Sequence, residues 1–269
     1  MLLQNKNVVI YGASPSLGGA IAQSFAAAGA TVFVTHKRVE VAQKVAAAIH
    51  ARAGLAEAAE VDALDADAIQ GHLAAVKQKA GSVDIIFNLI GLKDTQDMPL
   101  VDMELADFER PVHIAMRSQF LSATAAGRIM MEQGSGVILS LTATPGGIGY
   151  ANVGGFGPAC AAIESFSKNL ASELGPYGVR AVNIRSAGSP DSRPFKEALE
   201  NATEEVRDFL SKLEADTMLK QLPMMEDIAN TAVFLASDLA GKITGVTIDV
   251  TAGTTAALNY KVTKIPFSR

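Results

Sequence analysis

The chain has 269 residues, 49% of them hydrophobic and 19% charged, with a formal net charge of −5. Such a composition supplies a sizeable core and excludes an intrinsically disordered chain. With no run of cations longer than Lys37-Arg38, it also argues against a nucleic-acid or anionic-membrane partner and leaves a small molecule as the expected one. Cys160 is the only cysteine, so no internal disulfide is possible and a cytoplasmic setting is expected. The first strand begins so early that no secretory signal is expected before it. The uncharged stretch 133–163 holds eight glycines together with Pro145 and Pro158, which a membrane-spanning helix would not tolerate.

Taken in order, Val8, Val9 and Ile10 form an unbroken β-branched run, the mark of a strand buried on both faces of a parallel sheet. Gly12 ends it, and residues 20–28 read as a helix closed by Gly29. The turn between them carries Gly12, Gly18 and Gly19, with Ala13, Ser14, Ser16 and Leu17 in the gaps. A strand, glycine turn and helix in this order let backbone N–H groups and a helix N-terminus approach a phosphate. A tight turn without a ligand is the less favoured reading.

A second strand is predicted over 31–35 and a helix over 39–51, its core stripe on Val41, Val45, Ala48 and Ile49. A weak third strand follows over 56–61, and Asp65 caps a helix carrying Ile69, Leu73 and Val76. A fourth strand spans 83–87, with residues 88–91 as its exit. A long helix covers 107–131 with Pro111 near its first turn, and a fifth strand 137–141 leads into the glycine-rich loop. Gly154, Gly155, Gly157 and Pro158 should delay the next helix to about Pro158, leaving Phe156 in the loop. That helix runs to Leu174, and a sixth strand spans 178–184. Residues 189–225 form a charged excursion, helical in pattern and framed by Pro190, Pro194 and Pro223. A helix over 228–235 and a strand over 246–250 complete a single α/β domain over 1–269. The expected fold is a Rossmann-like, doubly wound parallel sheet of about seven strands flanked by helices.

Ligands bind such sheets beyond the carboxyl ends of the strands. That gathers residues 12–18, 35–38, Asp62, 88–91, 141–156 and 187–192 around one crevice, with the excursion 189–225 placed to close over it as a lid. NAD-binding units of this type carry an acid at the end of the second strand for the ribose 2′-OH. Here Thr35 is followed by His36, Lys37 and Arg38, with no acid before Glu40. Two cations suit a 2′-phosphate, so NADP(H) is favoured over NAD(H). Charges that merely open the next helix are the alternative.

These landmarks resemble the short-chain dehydrogenase/reductase family over nearly the whole chain. Gly12 and Gly18 match the first and last glycines of its TGxxxGxG turn, with Tyr11 in place of the Thr and Ser16 in place of the middle Gly. Asp62 matches the acid that holds the adenine, and Asn88-Leu89-Ile90-Gly91 is similar to NNAG. Ala187-Gly188 resembles the PG pair after the sixth strand, with Ser192 where a Thr often meets the nicotinamide amide. The C-terminal run from Asp227 to Gly253 is close to the family pattern. The resemblance implies a nucleotide-binding oxidoreductase, and a homodimer or homotetramer built through the helices over 115–131 and 159–174.

At the chemistry the resemblance breaks. The family's Ser, Tyr and Lys fall on Ala143, Phe156 and Cys160, and its Asn on Ala115. Phe156 cannot protonate an alkoxide and Cys160 brings no positive charge, losses that cost roughly 10²–10⁴ in rate for the acid alone. Tyr150 in the glycine loop is the candidate proton donor, and Thr142 and Thr144 are candidates to hydrogen-bond a substrate oxygen. A loop tyrosine lining the pocket and two threonines ending a strand are the plainer readings. Lys93 could replace the missing cation or be a solvated lysine. Cys160 reads as a packing residue, His113 as a helix-surface one, and the four histidines lack the spacing of a zinc site. Two functions stand side by side. One is an NADP(H)-binding oxidoreductase acting on a small carbonyl or activated alkene by a non-standard proton route. The other is a catalytically silent nucleotide sensor or scaffold.

Overall fold

The computed structural model describes residues 1–200 and 203–256, so positions 201 and 202 of the excursion lie outside the described residues. Seven strands, β1 (Asn7–Tyr11), β2 (Thr31–His36), β3 (Leu55–Glu60), β4 (Ile85–Asn88), β5 (Gly136–Ala143), β6 (Val179–Ser186) and β7 (Thr247–Val250), form one sheet. Its order is β3-β2-β1-β4-β5-β6-β7, and all of its pairings are parallel. In the central register Val9 lies between Phe33 and Ile86. The chain winds outward from β1 to β3, then crosses back to place β4 on the other edge of β1. That reversal opens the sheet beyond the carboxyl ends of β1 and β4.

Successive residues of each strand feed opposite cores, which is why the strands read as unbroken apolar runs. Val8 and Ile10 pack with α1 (Leu17–Ala27), α2 (Val39–His50) and α8 (Met225–Ala236) in one layer, around Phe25, Ile49 and Ile228. Val9 and Tyr11 pack with α3 (Ala66–Ala80), α4 (Leu105–Gln133) and α5 (Phe156–Leu174) in the other, around Ile69, Leu73, Met130 and Leu170. Asp65 caps α3 as expected: its Oδ1 accepts from the N–H groups of Asp67 (2.9 Å) and Ala68 (3.2 Å). Gly81 closes that helix at φ +86°.

Several boundaries depart from the sequence reading, each for a packing reason. Helix α1 starts at Leu17 rather than residue 20, because Gly18 and Gly19 are buried inside its first turn. A Cβ on Gly18 would lie 3.1 Å from Ala13 Cα. The buried stripe of α2 is Ala42, Val45, Ala46 and Ile49, while Val41 and Ala48 are half-buried. Helix α4 begins two residues earlier than expected, which moves Pro111 into its second turn, where it is buried. Helix α5 begins at Phe156, not at Pro158. Its third position suits Pro158, since the N–H groups of a first helical turn have no intrahelical acceptor. The charged excursion contains α6 (Arg193–Glu200) and α7 (Glu204–Asp216). Among the described residues no helix is long and apolar enough to cross a membrane.

One buried pair in the α3 layer leaves polar atoms unpartnered. The Tyr11 hydroxyl and His72 Nδ1 are buried with no hydrogen-bond partner among the described residues, and the two rings meet edge-on with centroids 6.4 Å apart. Burial lowers the His72 pKa to about 4, against a smaller opposing pull from Glu57. The imidazole is therefore neutral in the folded protein at pH values where the unfolded chain takes up a proton, and stability falls as the pH drops from 6.5 towards 4. The expected loss is at most about 3 kcal/mol. Urea unfolding at pH 7 and pH 4.5 should show it, and His72→Leu should flatten the difference. An unchanged difference in that variant would exclude His72 as its source.

Candidate active site

Two connected cavities occupy the carboxyl edge of the sheet and share Gly12, Ser14 and Leu89. The first, about 330 Å³, is lined by Ser16, Leu17, Gly18, Leu141, Gly188 and Ser192, among others. The second, about 420 Å³, runs over His36, Lys37, Asp62, Ile90, Gly91 and Lys93. Fourteen residues were predicted here on elements far apart in the chain, namely Gly12, Ser14, Ser16, Leu17, Gly18, His36, Lys37, Asp62, Ile90, Gly91, Gly188, Ser192, Asn88 and Arg38. The fold brings the first twelve to the cavity walls. Asn88 is buried behind them. Its Nδ2 donates to Ser122 Oγ (3.0 Å), and its Oδ1 accepts from Ile90 N–H (3.1 Å), which holds the β4 exit in place. Arg38 is exposed at the start of α2 and donates its backbone N–H to His36 Nδ1 (3.0 Å). Its side chain lines neither cavity.

The walls suit a dinucleotide. No side chain caps α1 and its first turn holds no acid; Leu17 and Gly18, which open it, line the first cavity, so an anion there would meet the helix N-terminus. Gly12 sits at φ +80°, and a Cβ there would stand 2.7 Å from the Leu89 carbonyl oxygen; only glycine lets β1 turn so close to the β4 exit. Asp62 keeps its Oδ1 on Leu64 N–H (2.9 Å) while lining the second cavity. Burial is the main cause that lowers the His36 pKa; the Arg38 backbone contact opposes it, and the Arg38 and Lys37 charges add smaller lowering. The cations here are thus Lys37 and Arg38 with a neutral imidazole between them and the strand.

The excursion meets the glycine turn directly. Ser16 Oγ accepts from Arg193 N–H (3.2 Å), and Asp191 Oδ1 accepts from Met225 N–H (3.0 Å). The Phe195 ring lies against Gly188 so closely that a Cβ there would stand 2.2 Å from Cζ. Phe195, Arg193, Ser186 and Ser189 join the first cavity wall. Ser189 belongs to the stretch 187–192 expected around the crevice, and Arg193 and Phe195 to the excursion expected over it, although none was singled out; Ser186 lay outside both.

On the chemical side, Ala143 ends β5, Phe156 opens α5 and Cys160 follows one turn later. The Cys160 thiol is buried, and burial, helped by Glu164 and Asp94, pushes it up to about 11. It is therefore neutral and unreactive at pH 7. Tyr150 is 36% exposed in the loop before α5 and lines neither cavity. Thr144 is buried in the turn after β5. Thr142 is turned away from the crevice: its Oγ1 donates to Glu164 Oε1 (3.0 Å) and accepts from Asn183 Nδ2 (2.8 Å).

Thr142 belongs to a buried network that the sequence reading missed. Arg185 Nε donates to Glu164 Oε1 (3.0 Å), Arg185 Nη2 pairs with Glu164 Oε2, and Arg185 Nη1 reaches Asp249 Oδ1 (3.0 Å). These partners hold the guanidinium charged, with the hydrogen bond to Glu164 the largest influence. The loop rests on this pair, for a Cβ on Gly146 would lie 2.4 Å from Glu164 Oε1 and one on Gly147 2.6 Å from Arg185 Cζ. Glu164 interrupting the apolar stripe of α5 between Ile163 and Ser167 was the signal available. Among the described residues no cluster of side chains is arranged to hold a metal ion.

Comparison with known proteins places this geometry. The family model described as Enoyl-(Acyl carrier protein) reductase matches residues 12–255. The L-rhamnose 1-dehydrogenase (NAD(P)(+)) of Azotobacter vinelandii is 31% identical over 258 residues, which cover 94% of this chain and 98% of that protein. A solved 7α-hydroxysteroid dehydrogenase with NADH and 7-oxo glycochenodeoxycholic acid superposes with a TM-score of 0.83 at 29% identity, covering 93% of this chain and 94% of that one. A gluconate 5-dehydrogenase from Burkholderia cenocepacia with NADP and tartrate gives 0.86 at 21% identity, covering 95% and 97%, a likeness of fold.

Proposed function

The chain belongs to the short-chain dehydrogenase/reductase family, and on that premise we propose that it is an NADP(H)-dependent oxidoreductase acting on a small carbonyl or an activated alkene. The observation that carries this reading is the second cavity, where Lys37 and His36 stand at the exit of β2 and no acid occupies positions 35–39 of that exit. Gly12, Ser14, Ser16, Leu17 and Gly18 would hold the diphosphate, Asp62 and Ile90 the adenine side, and Gly188 and Ser192 the nicotinamide end. The bound nucleotide supplies a hydride; the chain's part is to orient it, exclude water through the 189–225 lid and provide a proton. With Phe156 and Cys160 in the usual Tyr and Lys positions, that proton comes from Tyr150 or from solvent. This favours a C=C substrate whose carbanion needs no alkoxide-stabilising cation. Thr144 remains a candidate hydrogen-bond donor to the substrate. Thr142 would first have to leave Glu164.

Family resemblance and the exposed Phe120, set against Phe166 on the outer face of α4 and α5, support a homodimer or homotetramer. The lone buried cysteine suits a cytoplasmic protein.

The test is a fluorescence and thermal-shift titration with NADPH and NADH. The Lys37→Ala/Arg38→Ala pair should weaken NADPH binding about 10- to 100-fold, the worth of charge-assisted contacts to a phosphate, while NADH changes little. Equal effects on both nucleotides would remove the NADP(H) assignment. Tight binding with no turnover over a panel of enones and carbonyls, and with Tyr150→Phe indistinguishable from the parent, would favour the silent sensor or scaffold instead.

A further inference from the structure

We propose that Lys93 is a ligand for a nucleotide phosphate, set across the crevice from Lys37; the inference rests on the NADP(H) reading above. Lys93 stands two residues past Gly91, on the connection that leaves β4. The sequence offered it two roles, a stand-in for the missing catalytic cation or a solvated surface charge. Lys93 is an exposed residue, and what sets it apart from a merely solvated charge is the cavity it borders. It lines the cavity that also holds His36, Lys37 and Asp62, and not the one formed by Leu141, Ser186 and Gly188, where hydride transfer would take place. A cation in the first of these meets the phosphorylated end of the nucleotide rather than the reacting carbon.

The backbone adds an independent observation. Lys93 has φ +54°, a left-handed conformation that costs a residue with a Cβ on the order of 1 kcal/mol and persists only where its surroundings impose it. An added Cβ on Gly91 would meet nothing within 4 Å, so the connection just before the lysine is not packed over. No carboxylate lies within ion-pair distance of the Lys93 ammonium among the described residues. Lysines from the exits of β2 and β4 thus bracket a cavity in which Asp62 is the acidic lining residue. That arrangement recognises a phosphate dianion or diester by charge.

The chemistry fits both the 2′-phosphate and the diphosphate, and binding data separate them. The probes are NADPH, NADH and 2′,5′-ADP, titrated into the full-length protein and into Lys93→Asn, Lys93→Arg and Lys37→Ala. Asparagine accepts the left-handed conformation well, so Lys93→Asn removes the charge without straining the fold and should melt at or above the parent temperature. It should weaken NADPH about 10- to 30-fold, as expected for a lost charge-assisted contact, and Lys93→Arg should stay within about threefold. Weakening confined to NADPH and 2′,5′-ADP assigns Lys93 to the 2′-phosphate. Equal weakening of NADPH and NADH assigns it to the diphosphate. Unchanged binding in Lys93→Asn while Lys37→Ala loses NADPH overturns this inference alone. Failure of the parent protein to bind any of the three overturns it together with the NADP(H) reading. A melting temperature several degrees lower in Lys93→Asn, with all ligands weakened in step, would make Lys93 structural and also overturn it.

Discussion

Arg185→Met, made alone, is expected to lower the unfolding free energy by about 3–5 kcal/mol, the usual result of removing one partner from a buried ion pair. The Glu164 and Arg185 side chains are only 8% and 13% exposed, so water cannot replace what is lost. Without the guanidinium, the Glu164 carboxylate keeps the Thr142 hydroxyl and loses both of its charged contacts. The loop suffers too, since Gly146 and Gly147 lie directly on the pair. The double variant Glu164→Leu/Arg185→Met should recover most of the loss. It leaves Asp249, which is 40% exposed and well solvated, as the only charge of the three. Urea denaturation of the single and double variants measures the effect as a cycle. A single-variant loss below about 1 kcal/mol would mean that the network is energetically idle.

Gly155→Ala should be comparably severe through shape alone. A Cβ at Gly155 would stand 1.9 Å from the Phe108 carbonyl oxygen and 2.9 Å from Pro111 Cγ. The clash is with backbone on one side and a ring buried in α4 on the other, so no side chain can rotate away, and α5 must move off α4. Overpacking of this kind costs about 3 kcal/mol or more. The backbone offers no torsional objection, because Gly155 has φ −75°. Gly175 is the control: it has φ −54° and nothing within 4 Å of its would-be Cβ. Gly175→Ala should be neutral or slightly stabilising. Equal melting temperatures for the two variants would refute the tight α4–α5 seat.

The same seat shows where the sequence could be read and where it could not. The β-branched run before Gly12 and the Asp65 cap are local signals, and each produced the element it announced. The cavity-lining residues were legible because topology alone brings strand exits together. The start of α5 was not: Gly154, Gly155 and Gly157 look like turn residues, whereas two of them are glycine because α4, Met103 and Thr95 crowd them. Thr142 finishes the strand, the plainer of its two readings, although the strand itself was expected over 137–141. In the sheet β5 continues to Ala143, and Thr142 pairs in register with Arg185, on the face covered by α5. A charged residue on a buried strand face is invisible until its partner on a distant helix is known. Phe195 closing on Gly188 likewise depends on how α6 returns to the sheet.

The strand order carries a consequence for synthesis on the ribosome. Each strand joins an edge that is already open when it emerges: β2 on β1, β3 on β2, then β4 on the far side of β1, followed in turn by β5, β6 and β7. No strand ever has to be threaded between two that are already paired, so the nascent sheet grows outward by addition and no finished pairing is undone. The exposure comes at the growing side, where every new strand is an unprotected edge until the next one arrives. Strand β1 waits longest for its second neighbour, from Tyr11 to Ile85, and β6 waits next longest. Strand β6 ends at Ser186, and β7 begins only at Thr247. For that interval the excursion and α8 are made before the partner strand, and a long apolar edge stands open while the segment that reaches the crevice is still leaving the tunnel.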